Sequence, residues 1–149
     1  MKHEVMEADV LCVGGGPAGL MAAIRASELG AKVIVADKAN TVRSGNGATG
    51  NDHFKCYIPE IHGKNIEPFI EELVRAHVSG GIRRKTFIQT WFERSFEIVK
   101  LWESWGIPMK YEGKYEFAGH AFPGRPITHL KYSGLDQKAI LTRDRKSVV

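Results

Sequence analysis

Apolar residues near the beginning of the chain form two short runs that are separated by a helical pattern. Residues Val10 to Val13 form the first run, which is typical of a strand covered on both faces. Helical spacing then recurs at Leu20, Ala23, Ile24 and Ser27. Gly30 is positioned to end this helix, and residues Val33 to Ala36 form the second run. We therefore predict a βαβ unit with two parallel strands.

Helical periodicity predicts two further helices later in the chain. Glu67 to His77 carries apolar residues on one face and charged residues on the opposite face. Lys85 to Ser104 carries a stripe of aromatic and aliphatic residues, which we assign to packing rather than to ligand stacking.

Tyr111 to Gly124 places aromatic residues between glycines, which predicts a short hairpin.

Three glycines with the spacing Gly-x-Gly-x-x-Gly join the first strand to the first helix. In this arrangement Gly14 allows the tight turn, Gly16 lets the backbone approach a pyrophosphate, and Gly19 lets the helix pack against the strand. Pro17 is favourable at the first helical position, because its missing N–H would have no partner there. The free N–H groups and the helix dipole would then face the phosphates.

Asp37 ends the second strand, eighteen residues after Gly19. An acidic side chain at this place accepts hydrogen bonds from a ribose hydroxyl. Because strand, helix, second strand and acid follow one another in register, we predict a dinucleotide site rather than a glycine-rich turn without function.

Residues Lys38 to Asp52 are dense in Gly, Asn, Ser and Thr and have no apolar periodicity, which indicates a loop. The loop leaves the carboxyl end of the second strand, and this is the edge where ligands of open α/β sheets bind. We therefore interpret it as a ligand-contacting loop rather than only a flexible connection.

The stretch from Val13 to Asn51 resembles the amino-terminal FAD segment of the fumarate reductase and succinate dehydrogenase flavoprotein family. Within this stretch, the pattern Arg43-Ser44-Gly45 followed by Ala48-x-Gly50 is most similar to the alpha subunit of dissimilatory adenylyl-sulfate reductase. The resemblance implies an α/β fold, namely the N-terminal part of an FAD-binding Rossmann-type (βαβ) domain with a mostly helical excursion.

The same resemblance implies which residues bind the cofactor. They are Gly14, Gly16, Ala18 and Gly19, with Pro17 among them, for the pyrophosphate; Asp37 and Lys38 for the adenosine half; and Ser44, Gly45, Ala48 and Gly50 for the isoalloxazine side. Members of the family usually carry Glu at the position of Asp37. Gly45 stands where succinate dehydrogenases carry the histidine that is linked to the flavin, so we expect FAD to be bound without a covalent bond.

We predict two parts, with residues 1–56 as the FAD-binding βαβ unit and flavin loop. Residues 57–149 would form a helical excursion and a hairpin returning toward the FAD domain, and Asp136 to Arg143 would begin the returning helix. Proteins of the family are several times longer, so we expect an N-terminal fragment that is inactive alone. The catalytic residues are unknown and are expected beyond residue 149, while His120 and Arg125 are interpreted as polar residues of a surface hairpin.

The complete protein is expected to be an FAD-dependent oxidoreductase of the fumarate reductase, succinate dehydrogenase or adenylyl-sulfate reductase type, acting on a small-molecule substrate. If the protein is of the adenylyl-sulfate reductase type, the resemblance implies an iron–sulfur partner subunit that delivers electrons, because this chain has no ligands for such a cluster. Two alternatives stay open. An NAD-dependent Rossmann dehydrogenase would use the same glycine loop, and a non-catalytic nucleotide-binding fragment would retain the site without the chemistry.

Composition narrows the class of protein. The 149 residues are 43% hydrophobic and 26% charged, which is ordinary for a soluble globular protein. No apolar stretch is long enough to span a membrane, and the short charged amino terminus is unlike a signal peptide, so we expect a cytoplasmic protein. The two cysteines and six scattered histidines imply no metal site. The net charge is +4, but the basic side chains are not arranged along one helix or strand, so nucleic-acid binding is not expected.

Overall fold

The two apolar runs near the start of the chain form neighbouring strands in the computed structural model of the protein. Strand β1 (Val10–Val13) pairs in parallel with strand β2 (Val33–Ala36). Helix α1 (Pro17–Glu28) connects the two strands and packs against both of them. Its buried residues are Leu20, Ala23 and Ile24. The predicted βαβ unit and the α/β fold are confirmed.

One face of β1 remains uncovered within the described residues, which differs from the prediction of a strand buried on both sides. Leu11 and Val13 are 61% and 83% exposed. Helix α1 covers the sheet from one side only, because a single crossover helix covers a single face of its two strands. The apolar run therefore predicted the strand correctly but not the covering of both faces.

The structure describes residues 5–48, 50–75, 84–118 and 124–143. These residues form two compact units. Unit 1 consists of the described residues up to Gly50 and from Gly134 onward, and unit 2 consists of those between Asn51 and Ser133. The division after residue 56 that we predict from the sequence stays a prediction.

Two further elements belong to unit 1. The loop after β2 contains a 3₁₀ turn at Asn46–Ala48. Helix α5 (Gln137–Thr142) lies within the predicted range 136–143 and packs against both α1 and the 3₁₀ turn. The sheet, α1, the loop after β2 and α5 therefore make one unit from two distant stretches of sequence.

Unit 2 combines three helices with a small antiparallel sheet. The helices are α2 (Pro59–His62), α3 (Glu67–Arg75) and α4 (Lys85–Ser104). Strand β3 (His53–Lys55) pairs with strand β4 (His129–Lys131). Helices α3 and α4 were predicted, whereas β3, β4 and α2 were not, because three or four residues are too few to show a periodicity. Among the described helices, none is both long and apolar enough to cross a membrane.

The interior of unit 2 is rich in aromatic rings. One cluster of buried side chains consists of Tyr57, Ile70, Leu73, Ile88 and Phe92. Beside the small sheet, the ring of Phe54 lies edge-on to Trp102 at a centroid distance of 5.6 Å. The apolar stripe that we predict on α4 is divided, since Phe92 is fully buried while Phe87 is 54% exposed. Packing therefore accounts for most of the stripe.

The hairpin predicted over residues 111–124 is smaller in the described part of the chain. Tyr111 and Lys114 exchange two backbone hydrogen bonds, of 3.0 and 2.9 Å. The two residues between them both have positive φ, which is typical of a tight type I′ turn. Residues 119–123, with His120 among them, lie outside the described residues.

Candidate dinucleotide-binding site

The backbone leaves β1 through a turn that requires glycine. Gly14 has a φ of +105°, a conformation in which a side chain would be strained. Its N–H donates to the carbonyl oxygen of Ala36 at 2.7 Å, so the pairing of β1 with β2 continues into the turn. The first glycine of the pattern thus directs the chain from the strand toward α1.

The other two glycines of the pattern differ in what surrounds them. A Cβ on Gly19 would overlap the carbonyl oxygen of Gly14, whereas a Cβ on Gly16 would meet no atom within 4 Å. Gly16 caps α1 and Pro17 begins it, so the N–H groups of Ala18 and Gly19 have no carbonyl partner within the helix. The exposed backbone and the free donors make this end of α1 suitable for an anion.

Gly15, which the sequence interpretation did not single out, is buried between these positions. Its N–H donates to Oδ2 of Asp37 at 2.7 Å. A Cβ on Gly15 would lie 2.6 Å from the same oxygen and 2.5 Å from Cγ2 of Thr41. Gly15 is part of the run Gly14-Gly15-Gly16, which could have drawn attention to it. The pattern Gly-x-Gly-x-x-Gly allows any residue at its position, so the pattern alone did not predict its role.

Asp37 presents an ionised carboxylate at the end of β2. Its Oδ1 accepts the N–H of Ala39 at 3.1 Å. The hydrogen bonds from the backbone N–H groups of Ala39 and Gly15 hold the pKa of this carboxyl below its usual value, and the Lys138 ammonium adds a smaller effect in the same direction. Because a carboxylate oxygen accepts more than one hydrogen bond, Asp37 retains capacity for a ribose hydroxyl. The side chain of the neighbouring Lys38 is exposed.

Two consecutive residues of α5 reach the backbone of two different loops. Lys138 is 2% exposed, and its Nζ donates to the carbonyl oxygen of Gly15. Gln137 is fully buried, and its Nε2 donates to the carbonyl oxygen of Gly47 at 2.9 Å. These partners are 123 and 90 positions apart in the sequence, so sequence reasoning missed both residues.

The predicted flavin loop turns beside the beginning of α1. Gly45 has a φ of +75°, and its carbonyl oxygen accepts the N–H of Ala48 at 3.0 Å. A Cβ on Gly47 would lie 3.1 Å from Cγ of Pro17, so the 3₁₀ turn packs closely on the first residue of α1. Ser44, which precedes the turn, is half-buried.

The last predicted residue of this loop has a different neighbour. Gly50 has a φ of +81°, and a Cβ there would lie 3.2 Å from Cα of Leu135, just before α5. The structure thus brings the glycine loop, Asp37 and residues 45–48 together around the first turn of α1.

Arg125, which the sequence predicts to be a polar residue of a surface hairpin, belongs to unit 2 and forms an ion pair of 3.0 Å with Glu72.

Comparison with known proteins identifies the family. Residues 9–141 match the family model described as FAD binding domain. The chain belongs to this family. The match covers elements of both units, and it confirms FAD as the cofactor that we predict. An open backbone surface at a helix N-terminus and an ionised acid at the end of β2 are features that an FAD-binding segment needs, so the residues present fit the cofactor.

Solved structures of flavoproteins share the fold. An adenosine-5-phosphosulfate reductase in complex with sulfite has a TM-score of 0.67 and 26% identity over 93% of this chain. A flavocytochrome c3 fumarate reductase has a TM-score of 0.60 and 26% identity over 90% of this chain. Mycobacterium smegmatis Sdh1 has a TM-score of 0.66 over 90% of this chain at 20% identity, which shows the fold alone. The predicted resemblance to this group is confirmed.

The chain spans only part of these proteins, covering 22% of the adenosine-5-phosphosulfate reductase chain, 23% of Sdh1 and 24% of the fumarate reductase chain. No curated protein matches the sequence significantly. Within the part of the chain that the structure describes, no group of three or more His, Cys, Asp or Glu side chains could hold a metal ion.

Proposed function

We propose that this chain is the FAD-binding part of a flavin-dependent oxidoreductase. The observation that carries the proposal is the backbone surface at the start of α1. Among the described residues, no atom lies within 4 Å of a Cβ placed on Gly16, no side chain caps the helix, and the Asp37 carboxylate lies at the adjoining strand end. When bound, FAD supplies hydride exchange at the flavin N5, while the protein supplies binding and orientation.

In this proposal each part of the site holds one part of the cofactor. Gly14, Gly16, Pro17, Ala18 and Gly19 bind the pyrophosphate, Asp37 and Lys38 bind the adenosine half, and Ser44, Gly45, Ala48 and Gly50 line the isoalloxazine side. The attachment is non-covalent, because Gly45 has no side chain that could form a bond to the flavin.

The proposed substrate is a small anion of the adenylyl-sulfate or fumarate type. This choice is supported by the identity of 26% both to the sulfite-bound adenosine-5-phosphosulfate reductase and to the fumarate reductase. The two cysteines of this chain are fewer than the four that commonly hold an iron–sulfur cluster. Electrons would therefore reach the flavin from a group outside this stretch of sequence, for which an iron–sulfur subunit is the proposed source. Both cysteines are free, which supports a cytoplasmic location, where thiols stay reduced.

The proposal is tested by titrating the full chain with FAD and, in parallel, with NAD while recording absorbance. We expect flavin absorbance bands at about 370 and 450 nm that stay with the protein through desalting and leave it on denaturation. Binding of NAD without FAD would overturn the proposal and favour the NAD-dependent dehydrogenase.

A pair of variants tests the flavin loop in the same titration. Gly45→Ala is expected to weaken FAD binding about tenfold, because it strains a backbone with positive φ inside that loop. Gly30→Ala is the matched control, since Gly30 also has a positive φ and open space around it but follows the far end of α1. Equal FAD affinities of the two variants would remove the flavin loop from the proposed site.

A further inference from the structure

The peptide groups on both sides of Gly15 are held by charged side chains from other parts of unit 1. The N–H of Gly15 donates to the Asp37 carboxylate, and its carbonyl oxygen accepts from the Lys138 ammonium. Lys138 is almost completely buried, and lysine is rarely so buried unless its charge is paired or hydrogen-bonded. Its ammonium is therefore committed to the glycine loop.

Peptide geometry links this hydrogen bond to the anion-binding surface. The carbonyl of Gly15 and the N–H of Gly16 belong to one planar peptide group, and in a trans peptide these two bonds point in opposite directions. The described residues contain no cis peptide bond. Because Lys138 holds the carbonyl of Gly15 toward the buried side, the N–H of Gly16 points away from Lys138, on the exposed side of the loop.

Gln137 has a comparable contact with the second loop. Its amide donates to the carbonyl oxygen of Gly47, the residue of the 3₁₀ turn that packs on Pro17. Adjacent side chains of α5 thus fix two loops, one predicted to bind the pyrophosphate and the other predicted to line the flavin.

We propose that Lys138 is a positioning residue for the pyrophosphate of FAD and that Gln137 is a positioning residue for the flavin loop. Lys138 orients the N–H of Gly16 toward the phosphates and places a positive charge behind them without touching the ligand. Gln137 holds the 3₁₀ turn beside α1. This inference rests on the proposed function, since it takes FAD as the ligand of unit 1.

The test compares the affinities of three variants for FAD and for ADP, which contains the diphosphate but no flavin. Lys138→Met is expected to weaken binding of both ligands by the same factor of about ten or more, since a hydrogen bond to a charged group is lost. Gln137→Met is expected to weaken FAD binding while ADP binding stays within about twofold, since the hydrogen bond from the amide to the predicted flavin loop is lost. Lys32→Met is the matched control, because it removes the same charge from an exposed residue of unit 1.

In Gln137→Met this split between ligands is a readout that general damage to the fold would not produce. For Lys138 the corresponding readout is Lys138→Arg, which keeps the charged donor and is expected to recover part of the FAD and ADP affinity that Lys138→Met loses. Unchanged FAD and ADP affinities in Lys138→Met would overturn the role of Lys138. Equal losses of FAD and ADP affinity in Gln137→Met would overturn the role of Gln137.

A wild-type chain that binds neither ligand would refute the proposed function, and the positioning role is then decided without ligand. In that case amide hydrogen exchange at Gly15 is measured in Lys138→Met and in Lys32→Met. Faster exchange in Lys138→Met supports the role of Lys138 in fixing the loop, and equal exchange overturns it.

Discussion

Unit 1 and unit 2 use their buried polar side chains for different purposes. In unit 1, Lys138 and Gln137 donate to the backbone of the two loops that are proposed to bind FAD. In unit 2, the buried Ser95 accepts the N–H of Tyr57 at 3.0 Å and donates to the carbonyl of Phe92 in its own helix at 2.8 Å. Polar groups inside unit 1 thus fix the conformation of loops, whereas in unit 2 they satisfy the backbone around an aromatic core. Substitution of the buried polar side chains in unit 1 should therefore affect binding most, and substitution in the core of unit 2 should affect stability most.

The largest effect on stability is expected for Phe92→Ala in the core of unit 2. Removing a fully buried phenylalanine leaves a cavity, and we expect the free energy of unfolding to fall by about 3–5 kcal/mol. Urea denaturation of the full chain measures the change. Phe87→Ala is the matched control on the same helix, because Phe87 is mostly exposed. Equal losses in the two variants would show that the aromatic core does not stabilise unit 2. The proposed difference between the two units would then be wrong.

A pair of glycine variants in unit 1 separates packing from binding. Gly19→Ala places a methyl group against the carbonyl oxygen of Gly14, so we expect a loss of about 3 kcal/mol in stability. Gly16→Ala meets no atom of the described residues and should change stability by less than about 1 kcal/mol, yet it should weaken FAD binding by occupying the surface proposed for the pyrophosphate. Denaturation and FAD titration of both variants test this pair. Full FAD affinity in Gly16→Ala would contradict the assignment of that surface.

The smallest effect concerns the pH dependence of stability through His62 in unit 2. The nitrogens of its ring lie 2.9 Å from the N–H nitrogen of Ile58 and 3.0 Å from the carbonyl oxygen of Ile127. Burial lowers the pKa of His62 in the folded state, although the hydrogen bonds to the backbone oppose the shift. Below about pH 6.5 the unfolded chain therefore takes up a proton that the folded chain takes up only at lower pH.

The free energy of unfolding should accordingly decrease as the pH falls from 8 through about 6.5 toward 5. Urea midpoints measured across this range test the direction. In His62→Gln the decrease should be smaller than in the wild type, because the titrating ring is gone. An identical pH dependence in both proteins would assign the effect to other groups.

Local features of this fold were predictable from sequence. Helix α4 has the bounds 85–104 that its periodicity predicts, and Gly14 and Gly19 occupy the turn and the close helix–strand contact that their spacing predicts. Both kinds of feature depend on interactions between residues near one another in the chain, which leave a periodic or spaced pattern.

Features that depend on distant residues were not predictable. The hydrogen bonds of Lys138 and Gln137 join positions far apart in sequence, and a single lysine or glutamine carries no mark of its partner. The exposed Leu11 and Val13 show a second limit, because an apolar run indicates that a strand can be buried but not which of its faces the chain covers. Gly15 was visible within the glycine run, but only the contact with Asp37 distinguishes it from its neighbours.

The hydrogen bond between Lys138 and Gly15 also determines when the glycine loop is completed during translation. Residue 15 is synthesised long before residue 138, and the residues between Asn51 and Ser133 belong to the other unit. At about 5–20 residues per second, the carbonyl of Gly15 remains without its ammonium donor for several seconds after the loop has been made. The entropic cost of closing so long a loop grows only logarithmically with its length. The separation in sequence therefore delays this hydrogen bond, and the nascent chain acquires the fixed form of the loop only after unit 2 has been synthesised.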